Sequence, residues 1–157
     1  MIVYMVIFFR VFGLMAVFAL GYYAILTLSI LKIMGATLTL PGISGLILTV
    51  GMAVDANIII FARIREEISN GESTISAVKE GFSKAFIAII DSNVTTLFAA
   101  MVLFWLGTGT IKGFAVTLSI GVLVSMFSSL VVTKLFIEAI LRFIKVPNRV
   151  LIGSKND

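Results

Sequence analysis

The chain of 157 residues is 60% hydrophobic and 13% charged, against roughly 45–50% and about 25% in soluble domains, so an ordinary water-soluble fold is excluded and a polytopic membrane protein is expected. With no cysteine and no histidine, disulfides, thiol chemistry and the commonest general base and metal ligand drop out. The net charge of +4 lies in loops and at the C-terminus, where basic residues set membrane topology; no nucleic-acid partner is expected.

A membrane-spanning helix needs about 20 predominantly apolar residues. The first stretch, "MIVYMVIFF" (1–9), is too short before Arg10, lacks a signal-peptide pattern, and reads as the partial end of a helix in a fragment of a longer protein. A re-entrant or interfacial segment is the alternative. Full spans follow at about 11–31, 43–61, 85–106 and 114–132. The expected fold is thus all-α, a polytopic transmembrane helical bundle of four full spans plus one partial span. Residues 1–145 form the membrane domain and 146–157 a cytoplasmic tail.

Alternating loops divide the charge unevenly. Arg10, the 63–84 loop and the C-terminal region hold ten basic residues, whereas Lys32 and Lys112 are alone on the other side. The positive-inside rule therefore puts loop 63–84 and the tail in the cytoplasm. Within that loop "RIREEI" continues the preceding helix, "SNG" (69–71) reads as a turn, and Ser73 or Thr74 caps a short helix that Gly81 ends. Beyond residue 132 the pattern becomes amphipathic, with Lys134 and Glu138 as an i,i+4 pair.

Two acids stand inside the spans. Asp55 precedes Arg63 by eight residues and Asp91 follows Lys84 by seven, so they lie about 12 and 10.5 Å inside the cytoplasmic boundary, on antiparallel helices. Asp55 comes with Asn57; Asp91 comes with Ser92, Asn93, Thr95 and Thr96 in "DSNVTT". An Asp at a span's centre costs roughly +2.5 to +3.5 kcal/mol, which the apolar residues around Asp55 offset at about −0.3 to −0.6 each. Such residues face a bundle interior or a wet cavity. At 100° per residue, Ser44, Leu48, Gly51, Asp55 and Ala62 share a stripe, and Asn57 points nearly opposite. The small residues predict close approach of another helix, or of water, to Asp55. No Lys or Arg lies in any span at this depth. Because desolvation disfavours a charged carboxylate, Asp55 is expected to be a proton-binding site, or else a protonated helix–helix hydrogen-bond donor. Asp91, among hydroxyl and amide groups, leans towards a structural role.

The last span repeats small residues every four positions: Thr117, Gly121, Ser125, Ser129 and Thr133. In lipid such a stripe is an interhelical contact face. Enzyme motifs fail, since "GTGTIKG" (107–113) has neither P-loop order nor dinucleotide-fingerprint spacing. No catalytic group, metal or cofactor is expected. An intramembrane aspartyl dyad needs carboxyls about 3 Å apart, which spacing alone does not establish.

Three stretches carry a resemblance: "GATLTLPGISGLILTVGMAVDANIIIFARIREE" (35–67), "GFSKAFIAIIDSNVTTL" (81–97) and "GTGTIKGFAVTLSIGVLVSMFSSL" (107–130). In order and spacing they resemble the C-terminal transmembrane portion of the SecD family of Sec protein-export subunits. SecF differs around the corresponding polar residues. The resemblance implies an RND-superfamily half-bundle in the cytoplasmic membrane, with SecF, the SecYEG channel, SecA, unfolded preprotein and membrane lipid as partners. It implies use of the proton-motive force to promote preprotein translocation. The family's proton-coupling acid falls on Asp55, and its D-x-N-V-T-T stretch on Asp91, Asn93, Thr95 and Thr96. Ala62 stands where the family commonly has an acidic residue, Thr110 where it usually has Pro, and Ser92 where it usually has Ala. A small-molecule or lipid exporter of the RND type and a non-titrating scaffold subunit are the alternatives.

Overall fold

The computed structural model describes residues 2–35 and 39–143; the expected tail at 146–157 lies outside them. Among the described residues the elements are all helical: α1 (Ile2–Ile33), α2 (Leu40–Ser69), α3 (Thr74–Leu106), α4 (Thr110–Phe127), a π turn (Ser128–Val132) and α5 (Thr133–Phe143). Four stretches are long and apolar enough to cross a membrane: Gly13–Ile33, Leu40–Ser69, Thr74–Leu106 and Thr110–Ala139.

Helix α1 runs unbroken from Ile2, which corrects the expectation of a separate partial helix at 1–9. A single arginine adds charge without removing a backbone hydrogen bond, and Arg is a good helix former; no proline or glycine precedes Gly13. Helix α2 begins where the Thr39 hydroxyl accepts from the Gly42 N–H at 3.3 Å, with Pro41 in the first turn, where its missing N–H has no consequence. It ends at Asn70, and Gly71 turns the chain with φ +91°, a conformation that favours glycine. Ser73 then caps α3, accepting from the Ser76 N–H at 3.3 Å.

Gly81 does not end a short helix; α3 continues through it to Leu106. Its lack of a side chain serves packing instead. A Cβ at Gly81 would stand 2.7 Å from the Ile64 backbone N and Cα, so α2 and α3 touch backbone to backbone here. At 1.5 Å per residue, α2 and α3 are about 45 and 50 Å long, more than the roughly 30 Å hydrocarbon layer. Their joined ends reach past it. Glu67, 6% exposed, accepts from Lys84 at 2.5 Å and ties the two helices beyond the Gly81 crossing. The apolar core lies beside this crossing and includes Ile60, Phe61, Ile64, Phe82, Ala85 and Ile137.

Helix α4 packs on α2 through the small-residue stripe. A Cβ at Gly121 would come within 2.6 Å of the Thr49 Cβ. Thr49 is also where α1 attaches, accepting from the Tyr23 hydroxyl at 2.8 Å and donating to its own helix at Gly45 O, 3.0 Å away. Residues four apart advance about 40° beyond a full α-helical turn, so a stripe at strict four-residue spacing drifts off its face. The wider π turn, in which the Thr133 N–H reaches Ser128 O, offsets that drift. Ser129 and Thr133 stay 1% and 0% exposed. In the same turn the Ser128 hydroxyl donates to Ala19 O of α1 at 3.1 Å, and the Thr133 hydroxyl donates to Asn57 Oδ1 of α2 at 2.8 Å.

Four stability outcomes follow from these contacts. Gly81→Val should destabilise the bundle by about 1–3 kcal/mol, the range for overpacking, because backbone atoms cannot move aside as a flexible side chain would. Gly51→Ala, with nothing within 4 Å of the added Cβ, should stay within about 0.5 kcal/mol. Thr133→Val should lose about 0.6–1.7 kcal/mol, as interhelical hydrogen bonds in membrane proteins do. Pairing it with Asn57→Leu should cost less than the two single changes together. Unfolding titrations in detergent of these variants, and of Asn57→Leu alone, measure the differences.

Candidate functional site

The polar residues of α2 are divided between two faces, as their angular spacing requires. On the inward face Gly45, Thr49, Ala53 and Asn57 follow one another at four-residue intervals and are all buried. Asn57 is 2% exposed and held by Thr133. It belongs to the packing of α2 against the last span, the neighbour that its position opposite Asp55 calls for.

On the outward face Ser44, Leu48, Asp55 and Ala62 are exposed on the chain. Gly51, expected as a packing position on this stripe, has no neighbour for a Cβ within 4 Å. That expectation is corrected for contacts within the chain: α4 takes the opposite face of α2, where Gly45 and Thr49 meet Phe114 and Gly121. Gly121, Ser125 and Ser129 do occupy a packed face and are buried.

Asp55 opens onto a hollow of about 240 Å³ between α2 and α3, shared with Met52, Ala56, Ile59, Ile89, Ser92 and Asn93. The segment that carries Asp91 is therefore level with Asp55, as the depth arithmetic requires. Asp91 itself does not line the hollow and is exposed. Asn93 is 5% exposed, and its amide donates to Ile89 O at 2.6 Å. Thr95 and Thr96 turn their hydroxyls back to Asp91 O and Ser92 O, at 3.0 and 3.1 Å. Their side chains are thus satisfied within α3. Among the described residues neither the Asp55 nor the Asp91 carboxyl has a hydrogen bond or ion pair.

The outcome is an acid without a partner on an outward, small-residue face of α2, beside a half-polar wall of α3. Its carboxyl is accessible to water or to a neighbouring protein, and among the described residues no cation pairs with it. No group of three or more acidic residues able to hold a metal occurs among the described residues. Sequence reasoning missed the Tyr23–Thr49 link and the Gly45–Thr49–Ala53–Asn57 stripe. The signal was present, since that stripe has the same small-residue spacing that marked the last span.

Comparison with known proteins places this arrangement. The family model for the protein export membrane protein SecD/SecF, C-terminal, matches residues 1–142. The protein translocase subunit SecD of Acidaminococcus fermentans is 53% identical over 152 residues, covering 97% of this chain and 36% of that protein. The Pseudomonas aeruginosa subunit of the same name is 48% identical over 137 residues, covering 87% of the chain and 22% of that protein. Among solved structures, SecDF of Thermus thermophilus, described as a translocon-associated membrane protein, superposes with a TM-score of 0.82 at 44% identity. It covers 86% of this chain and 19% of that one. The chain therefore spans about a third or less of the length of these relatives. It belongs to the SecD/SecF family of protein export membrane proteins and corresponds to the C-terminal portion of SecD.

Proposed function

We propose that this chain is the membrane part of an accessory, non-enzymatic subunit of the Sec protein-export machinery. It uses the proton-motive force to promote translocation of unfolded preprotein across the cytoplasmic membrane, and Asp55 is its proton-responsive group. The observation that carries the reading is the position of Asp55, exposed beside the α2–α3 hollow with no side-chain partner among the described residues. A buried, hydrogen-bonded acid such as a helix staple would have no route for proton exchange; an outward one has.

The outward faces of α2 and α3 leave a surface for SecF. Ser92 of α3 lines the hollow with Asp55, and Leu103, eleven residues further on and so on the same side of α3, is 36% exposed; with Asp55 they make a face of mixed character suited to a second helical bundle. Across that contact SecF would supply the group that exchanges the proton. SecYEG, SecA and the preprotein are partners of the whole protein. Loop 63–84 and the C-terminus face the cytoplasm under the charge asymmetry of the sequence. One proton crossing the full field yields about 2.3 kcal/mol per 100 mV, enough per step to bias a two-state displacement of packed helices.

Asp55→Asn keeps size and hydrogen bonding and removes titration. Export measured in membrane vesicles with and without an uncoupler should lose its dependence on the proton-motive force in this variant, whereas Asp91→Asn should retain it. An Asp55→Asn protein that still responds fully to the uncoupler would favour a non-titrating scaffold and overturn the assignment.

A further inference from the structure

A second cavity lies away from Asp55, between the start of α3 and α5. It is a groove of about 610 Å³, within the range of about 300–1,000 Å³ typical of small-molecule sites. Its α3 wall presents Lys79, Phe82, Ser83 and Phe86, whose i, i+3, i+4 and i+7 spacing puts them on one helix face. The floor is apolar: Phe82 is 8% and Ile137 0% exposed. Opposite stand Lys134 and Glu138 of α5.

The polar side chains of the groove are confined to its loop end, where Ile75 and Val78 also line it, and the deeper end is apolar. Helix α3 runs away from the 63–84 loop and α5 runs back towards the same side. Lys79, Ser83, Lys134 and Glu138 therefore lie at the loop end, with Phe86 and Leu130 deeper. Lys79 and Phe86 are separated by about 10.5 Å along the helix. A ligand that fits carries an anionic oxygen cluster at one end and hydrocarbon at the other. We propose that this groove is a binding site for an anionic phospholipid. Its phosphate would be held by Lys79, Ser83 and Lys134, with an acyl chain along Phe86 and Leu130.

Charge complementarity selects this occupant. Lys79 makes no ion pair among the described residues. Lys134 reaches Glu138 only at 3.9 Å, with both side chains more than half exposed, and such pairs hold weakly. Lys134 also lies 5.6 Å from the Phe82 ring centroid, over its face, which keeps the ammonium above the groove. The rim is left with one net positive charge. Segment 144–157 is a poor occupant, because Lys145, Arg149 and Lys155 outnumber Asp157 and would be repelled. Basic pockets between transmembrane helices at the cytoplasmic side hold anionic headgroups by the same physics. The choice of leaflet rests on the orientation proposed above; selectivity for lipid charge does not.

Native mass spectrometry of the complete protein in detergent, titrated with phosphatidylglycerol or with phosphatidylcholine of matched chains, tests the site. One phosphatidylglycerol should be retained with about tenfold preference over phosphatidylcholine. Lys79→Gln with Lys134→Gln should abolish the preference, and Glu138→Gln should increase it. Equal retention of the two lipids, or a preference unchanged in the double variant, would overturn the proposal. So would a photo-crosslinker at Ser83 that captures segment 144–157 or a partner subunit in membranes containing phosphatidylglycerol. Because selectivity is read in detergent, its loss does not depend on the outcome at Asp55.

Discussion

Helix α2 can occupy the centre of this bundle because one of its faces carries only small or hydrogen-bonded side chains, which let neighbours come close. Gly45, Thr49, Ala53 and Asn57 let α4 come close enough for Gly121 to sit against Thr49. In lipid, where apolar surface gains little by meeting apolar surface, such close van der Waals packing is the main source of association. The remaining arrangement depends on it. Tyr23 reaches Thr49 from α1, Asn57 reaches Thr133 from below, and the face opposite this packing carries Asp55 outwards.

The same constraint separates the two polar residues of "VDAN". Two positions apart on a helix is about 200°, so one of the pair must face in if the other faces out. Asn57 can be satisfied without charge by one hydroxyl, and it is the buried member. Asp55 would need a cation or a proton in that position. The chain keeps it at the surface, where the partner can come from elsewhere.

Much of this was legible beforehand because spans, turns and stripes are periodic. The four apolar stretches, the turn at Asn70–Gly71, the cap at Ser73 and the small face at Gly121, Ser125 and Ser129 all follow from residue type and spacing. Two features were not. Gly81 carries the same local signal whether it ends a helix or admits a neighbour's backbone, and only the position of Ile64 decides. The outward face of Asp55 depends on which side of α2 receives α4, a choice between two small-residue stripes that differ in their partners and hardly in composition. The π turn was hidden for a similar reason, since its residues, "SSLVV", contain no breaker.

That turn has a consequence for the surface of the protein. A π turn contains one residue more than an α-helix would use over the same rise, so it sets the phase of everything after it. Without the surplus residue α5 would be turned by about 100°. Ile137 would leave the core, and Lys134 would no longer stand over Phe82. The polar and apolar sides of α5 are thus oriented by a count of residues in the preceding turn, independently of the chemistry of α5 itself. An insertion or deletion at this point would leave the residues of α5 and their order unchanged and still reassign which of them meets protein, lipid and water.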